Sequence, residues 1–162
     1  MNQTHIHLLI THLPIFGSIL GGLVLAYALW TKSNHTKIAA YYVFILSALG
    51  AGIAYFTGEA AEETIENIQG IAKNMIEEHE EFAIFSLVSL LLLGAASIIG
   101  ILITIRKSIH ARTTALVILF ISLISFGLVA RTGYLGGQIR HTEINDSKNS
   151  TSVNEVENDN DD

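Results

Sequence analysis

Four runs of uncharged, mostly apolar residues constrain this chain more than anything else in it: 13–30, 38–56, 82–105 and 113–130, each 18 to 24 residues long. As a helix, each is long enough to cross the hydrocarbon core of a bilayer, where backbone polar groups must be satisfied internally. A single run of this kind also suits a buried helix of a soluble enzyme. Four of them in 162 residues do not, because half of the residues are apolar, only 15% are charged, and too little polar sequence is left to cover them. The pattern predicts an all-α, integral membrane four-helix bundle with spans at about 8–30, 38–57, 82–105 and 113–132.

The connections set the expected orientation. Lys32 and Lys37 lie between the first two runs, and Arg106, Lys107 and Arg112 between the last two, with no acid in either loop. Loops of this kind stay cytoplasmic. Both termini and the segment 58–81, which carries eight Glu against one Lys, then face the periplasm of a bacterial inner membrane. Arg131 and Arg140 run against this bias and call for a local partner. Ala26-Tyr27-Ala28 resembles a signal-peptidase site, but no Lys or Arg precedes it, so the first run is read as retained. The absence of cysteine discriminates little.

Within the first run, Gly17 and Gly21, with Ser18 and Gly22, make overlapping small-x-x-x-small pairs that allow close helix approach. Pro14 is either a first-turn residue or a bend just past His12. Between the second and third runs, Ile65, Ile68, Ala72, Met75 and Ile76 recur at helical spacing among glutamates, which predicts an amphipathic helix on the outer surface, weakened at Gly70. An offset of 75 aligns Lys32-Ser33-Asn34-His35 with Lys107-Ser108-Ile109-His110 and Thr57-Gly58 with Thr132-Gly133, giving eight identities in 28 positions. That register predicts two parallel repeats of a transmembrane helical hairpin within a domain of residues 1–144. Residues 145–162 are Asn, Ser, Asp and Glu in the main and are expected to form a disordered acidic tail.

Histidines gather at the expected outer surface: His5, His7 and His12 ahead of and within the first run, His79 on the apolar face before the third, and His141 after a glycine-rich exit from the fourth. His35 and His110 sit in the inner loops, where lipid headgroups are their ordinary company. His12, deepest and next to Pro14, stands first among the ligand candidates, with His79 and His141; His5 and His7 form an auxiliary pair.

Several landmarks occur together: His5-x-His7, His12-Leu13-Pro14-Ile15, Thr57-Gly58-Glu59-Ala60-Ala61-Glu62, Glu78-His79-Glu80, and Arg131-Thr132-Gly133-Tyr134-Leu135-Gly136-Gly137 followed by His141. As a set, over residues 4–144, they resemble the bacterial four-helix membrane family called domain of unknown function 2231. The resemblance implies a fold and a set of outward histidines; it brings no defined activity.

Imidazoles from three elements meeting at one surface suit haem b, which needs two neutral imidazoles and basic groups for its propionates; Arg131 and Arg140 are nearby. Glu59 or Glu63 would fix an imidazole tautomer. Zinc or copper would use the same histidines, with Glu59, Glu62 or Glu80 adding oxygen ligands. The expected function is electron transfer at this site rather than transformation of a substrate. The alternative is a structural or assembly subunit of a membrane complex with no cofactor of its own. Expected partners are the lipid bilayer and either other membrane redox subunits or a second copy of the chain; nucleic acid is not expected. Coupled transport is disfavoured because no charge lies inside any of the four apolar runs, and hydrolysis lacks a nucleophile paired with a histidine and a carboxylate.

Overall fold

The computed structural model describes residues 7, 9–65 and 73–158, with side chains described for 7, 9–58 and 76–138. Four helices follow one another: α1 (His12–Trp30), α2 (Asn34–Ile65), α3 (Lys73–Ile105) and α4 (Ala111–Asn158). The described residues contain no strand. Helical backbone precedes α1, since Thr11 N–H donates to His7 O at 3.0 Å. Because that helical backbone runs up to α1, Pro14 withholds the N–H that would otherwise bond the Ile10 carbonyl one turn earlier.

α1 and α3 end in the same way. Thr31 N–H donates to Tyr27 O (2.9 Å) and Ser33 N–H to Ala28 O (3.1 Å); Arg106 N–H donates to Leu102 O (3.1 Å) and Ser108 N–H to Ile103 O (3.2 Å). Between them Lys32 and Lys107 take left-handed backbone, φ 56° and 51°, at the place a glycine usually holds after a helix. Ser33 and Ser108 then serve the following helix, accepting from Thr36 N–H and His110 N–H. Each turn is short and basic, so consecutive helices run antiparallel.

The helices pack α1 on α2, α2 on α3, α3 on α4 and α4 back on α1, closing a four-membered ring. A glycine permits close contact at each interface: Gly17 and Gly21 face Ser47 and Phe44, Gly94 faces Ala48, Gly100 faces Ile118, and Gly22 faces Ser122. The core between them is Leu25, Tyr41, Phe44, Leu90, Leu93 and Ile118. Leu, Ile, Phe and Trp side chains cover the outside instead, among them Trp30, Phe56, Phe85, Leu92 and Phe120.

Two regions differ from the sequence expectation. The amphipathic stretch is not one separate surface helix among the described residues: α2 continues to Ile65 and α3 begins at Lys73, with Gly70 outside the described residues. Extending an existing helix avoids the cost of nucleating a new one, so apolar spans carry their flanking turns with them. The same reasoning applies to α4, whose backbone remains helical to Asn158 through composition that favours a disordered tail.

Candidate functional site

Where α2 and α4 leave their apolar portions, two histidines are held in matching ways. His7, ahead of α1, crosses to α2, its Nδ1 2.9 Å from Ala54 O and 3.3 Å from Thr57 Oγ1. His79, in the early turns of α3, crosses to α4, its Nδ1 3.1 Å from Thr132 O. A carbonyl oxygen only accepts, so Nδ1 carries the proton in both rings and donates it. In the neutral ring Nε2 then keeps its lone pair, the form that ligates a metal.

Each ring also lies against a glycine. A Cβ at Gly58 would stand 2.9 Å from His7 Cε1, and one at Gly136 would stand 3.1 Å from His79 Cε1. The helix surface therefore leaves room for a flat imidazole at these places. His7 is half-buried, and burial lowers its pKa below the usual value, partly offset by the Ala54 carbonyl. His7 is thus neutral at pH 7. His7 and His79 are close enough to interact electrostatically, and Glu80 also acts on His79.

The carbonyl partners are themselves fixed. Thr57 Oγ1 donates back to Ile53 O at 2.9 Å, and Thr132 Oγ1 lies 2.8 Å from Ser86 Oγ, so α3 and α4 are joined immediately beside His79. Next to them, Arg131 Nη2 donates to Glu78 Oε1 at 2.9 Å. The Arg131 guanidinium also covers the rings of Phe82 and Tyr134, 5.5 and 5.7 Å from their centroids. This is the local partner that an arginine on the expected outer side requires.

The geometry changes which histidines stand together. His12 is exposed and stacks on Phe16, with centroids 6.1 Å apart, on a different face from the His7–His79 pair. His5 lies outside the described residues, and the side chains of Glu59, Glu62, Glu63, Arg140 and His141 lie outside the described side chains. Among the described residues no group of three or more His, Asp or Glu side chains is arranged to hold a metal ion. Thr57, Thr132, Ser86, Gly58 and Gly136 carry no sequence mark of a site residue. The Thr57-Gly58 and Thr132-Gly133 match was the available signal, since it marked both anchoring segments.

Comparison with protein-family models, with curated proteins and with solved structures gives no match.

Proposed function

We propose that this chain is a four-helix integral membrane protein of the bacterial inner membrane, of the domain of unknown function 2231 family, that holds haem b between His7 and His79 and passes electrons. The observation that carries the reading is the pair of imidazoles, each donating Nδ1–H to a backbone carbonyl of the neighbouring helix and each keeping Nε2 for a ligand.

Membrane insertion is supported by four helices long and apolar enough to cross a bilayer, whose most apolar windows are only 28–39% buried within the bundle. So much outward apolar surface suits lipid and would drive a water-soluble monomer to aggregate. The basic hairpin turns favour the cytoplasm and place both termini in the periplasm. A two-repeat architecture is supported by the matching turns and by buried Ala40 and Ala115, Ser47 and Ser122, and Ala54 and Val129, each pair 75 apart. The anchored histidines extend the likeness, one per hairpin.

The donor set fits haem better than a bare ion. Zinc or copper asks for three or four protein ligands, whereas haem brings four nitrogens and needs two neutral imidazoles. When bound, haem b supplies a one-electron iron couple. The protein's part is positional. Ala54 O and Thr132 O fix the tautomers, Gly58 and Gly136 leave room for the rings, and Arg131, now paired with Glu78, would be the cation available to a propionate.

Protein purified in detergent should show a Soret band and, after dithionite, a sharp α band, with about one haem per chain or per pair of chains. His7→Ala and His79→Ala should each abolish the band, and His12→Ala should leave it. Absence of both a Soret band and stoichiometric metal would reject the reading and leave the structural or assembly subunit in its place.

A further inference from the structure

The opposite end of the bundle holds a buried positive charge that the outer site does not use. Lys37, in the first turn of α2, is only 6% exposed. Its Nζ donates to Asn34 Oδ1 at 3.2 Å, a neutral amide. Residues 1–58 and 82–142 contain no Asp or Glu, so the segments that form this end hold no carboxylate for it. One turn further along the same face, Tyr41 is fully buried, its ring seated over Gly100 of α3 with Cζ 2.9 Å from where a Cβ would stand. Its hydroxyl faces Thr104, and neither Tyr41 Oη nor Thr104 Oγ1 closes a hydrogen bond. A buried ammonium met only by a neutral amide oxygen thus lies one helical turn from two facing hydroxyls that close no hydrogen bond at ordinary geometry, and buried polar groups left in that state are costly. The second hairpin does not repeat this arrangement. At an offset of 75, Arg112 replaces Lys37 and is exposed, and Leu116 replaces Tyr41 and is half exposed.

We propose that the hairpin-turn end of the bundle, between α2 and α3, is a binding site for a phosphate-class oxyanion, with Lys37 supplying the charge and Tyr41 and Thr104 the neutral donors. The oxyanion is either the phosphodiester of an anionic lipid headgroup or free phosphate. A phosphate oxygen accepts several hydrogen bonds at once and neutralises the ammonium, which an additional lone hydroxyl does not. This inference is independent of the outer histidines.

The test uses the full chain in phosphatidylcholine nanodiscs, read by thermal unfolding. In one arm sodium phosphate replaces sodium chloride at constant ionic strength; in the other, phosphatidylglycerol replaces part of the phosphatidylcholine. A saturable rise in the melting midpoint is expected. A rise with phosphate identifies the free ion as ligand, and a rise with phosphatidylglycerol alone identifies the headgroup. Lys37→Met should remove the rise. Tyr41→Phe keeps the ring over Gly100 and should raise the half-saturating concentration about tenfold, the worth of roughly one charge-assisted hydrogen bond. Arg112→Gln should change neither. No saturable rise in either arm, or a rise that Lys37→Met retains or Arg112→Gln abolishes, overturns the proposal. Should Lys37→Met not fold, an undiminished response in Tyr41→Phe overturns it.

Discussion

Alanine at Gly58 separates the site from the scaffold. In an ordinary helix the change stabilises by about 1 kcal/mol. Here the new methyl would stand 2.9 Å from His7 Cε1, short of the 3.4 Å where ordinary contact begins, so the ring must move by about 0.5 Å. That movement stretches the 2.9 Å hydrogen bond to Ala54 O, whose loss costs about 1 kcal/mol, and crowding adds about 1 kcal/mol or more. The expected net effect is destabilisation by about 1 kcal/mol, against stabilisation of similar size at an open glycine. Gly52 on α2 and Gly137 on α4 are such controls, with nothing within 4 Å of an added Cβ. Melting midpoints of Gly58→Ala and Gly52→Ala should therefore differ by about 4–8 °C. Gly58→Ala should also weaken the Soret band that Gly52→Ala preserves, and Gly136→Ala should stand in the same relation to Gly137→Ala. If Gly58→Ala matches Gly52→Ala in both melting and absorbance, the ring is not held against the helix and the account of the site fails.

Other expectations follow from single contacts. Thr132→Val removes the hydroxyl partner of buried Ser86 and should cost about 1–3 kcal/mol, while adding Ser86→Ala should recover part of that in a double-mutant cycle. Because His79 uses the Thr132 carbonyl rather than its hydroxyl, both variants should keep the Soret band. Lys32→Gly and Lys107→Gly relieve left-handed backbone at a non-glycine residue and should each raise stability by up to about 1 kcal/mol in denaturant titrations. The His7 pKa is lowered by folding, so below its ordinary 6.5 the unfolded chain takes up a proton that the folded chain refuses. Stability should fall as pH drops from 6.5 towards the folded value and be unaffected above it, and His7→Gln should flatten that part of the melting profile. The chain has no cysteine, so a single cysteine at exposed Ile109 should react with a membrane-impermeant maleimide only in opened cells, and one at Ser150 in intact spheroplasts.

The four helices were legible because charge exclusion over 18 residues or more is a pattern that few folds tolerate. Helix ends were less so: α2 and α3 run past their apolar portions, and hydropathy does not register continuation into glutamate-rich turns. The site was half legible. His79 could be placed on the apolar face by its spacing to Met75 and Phe82, but His7 and His12 are five residues apart and differ by a helical rotation that sequence fixes only once the start of α1 is known. Helical backbone runs through Thr11, so five residues rotate His12 by about 140° from His7, leaving His7 half-buried and His12 exposed on Phe16. Backbone acceptors such as Ala54 O and Thr132 O carry no side-chain signature at all, so only the flanking Thr-Gly pairs hinted at them.

Among the described residues each imidazole hydrogen-bonds within its own half of the molecule, His7 to α2 and His79 to α4. Neither hairpin needs the other to orient its nitrogen; only their docking makes a pair. Any ligand that bridges the two nitrogens therefore acts as a clasp between halves, and its binding free energy adds to whatever holds them together. Loading and assembly become one equilibrium, in which an empty molecule is the one whose halves part more readily.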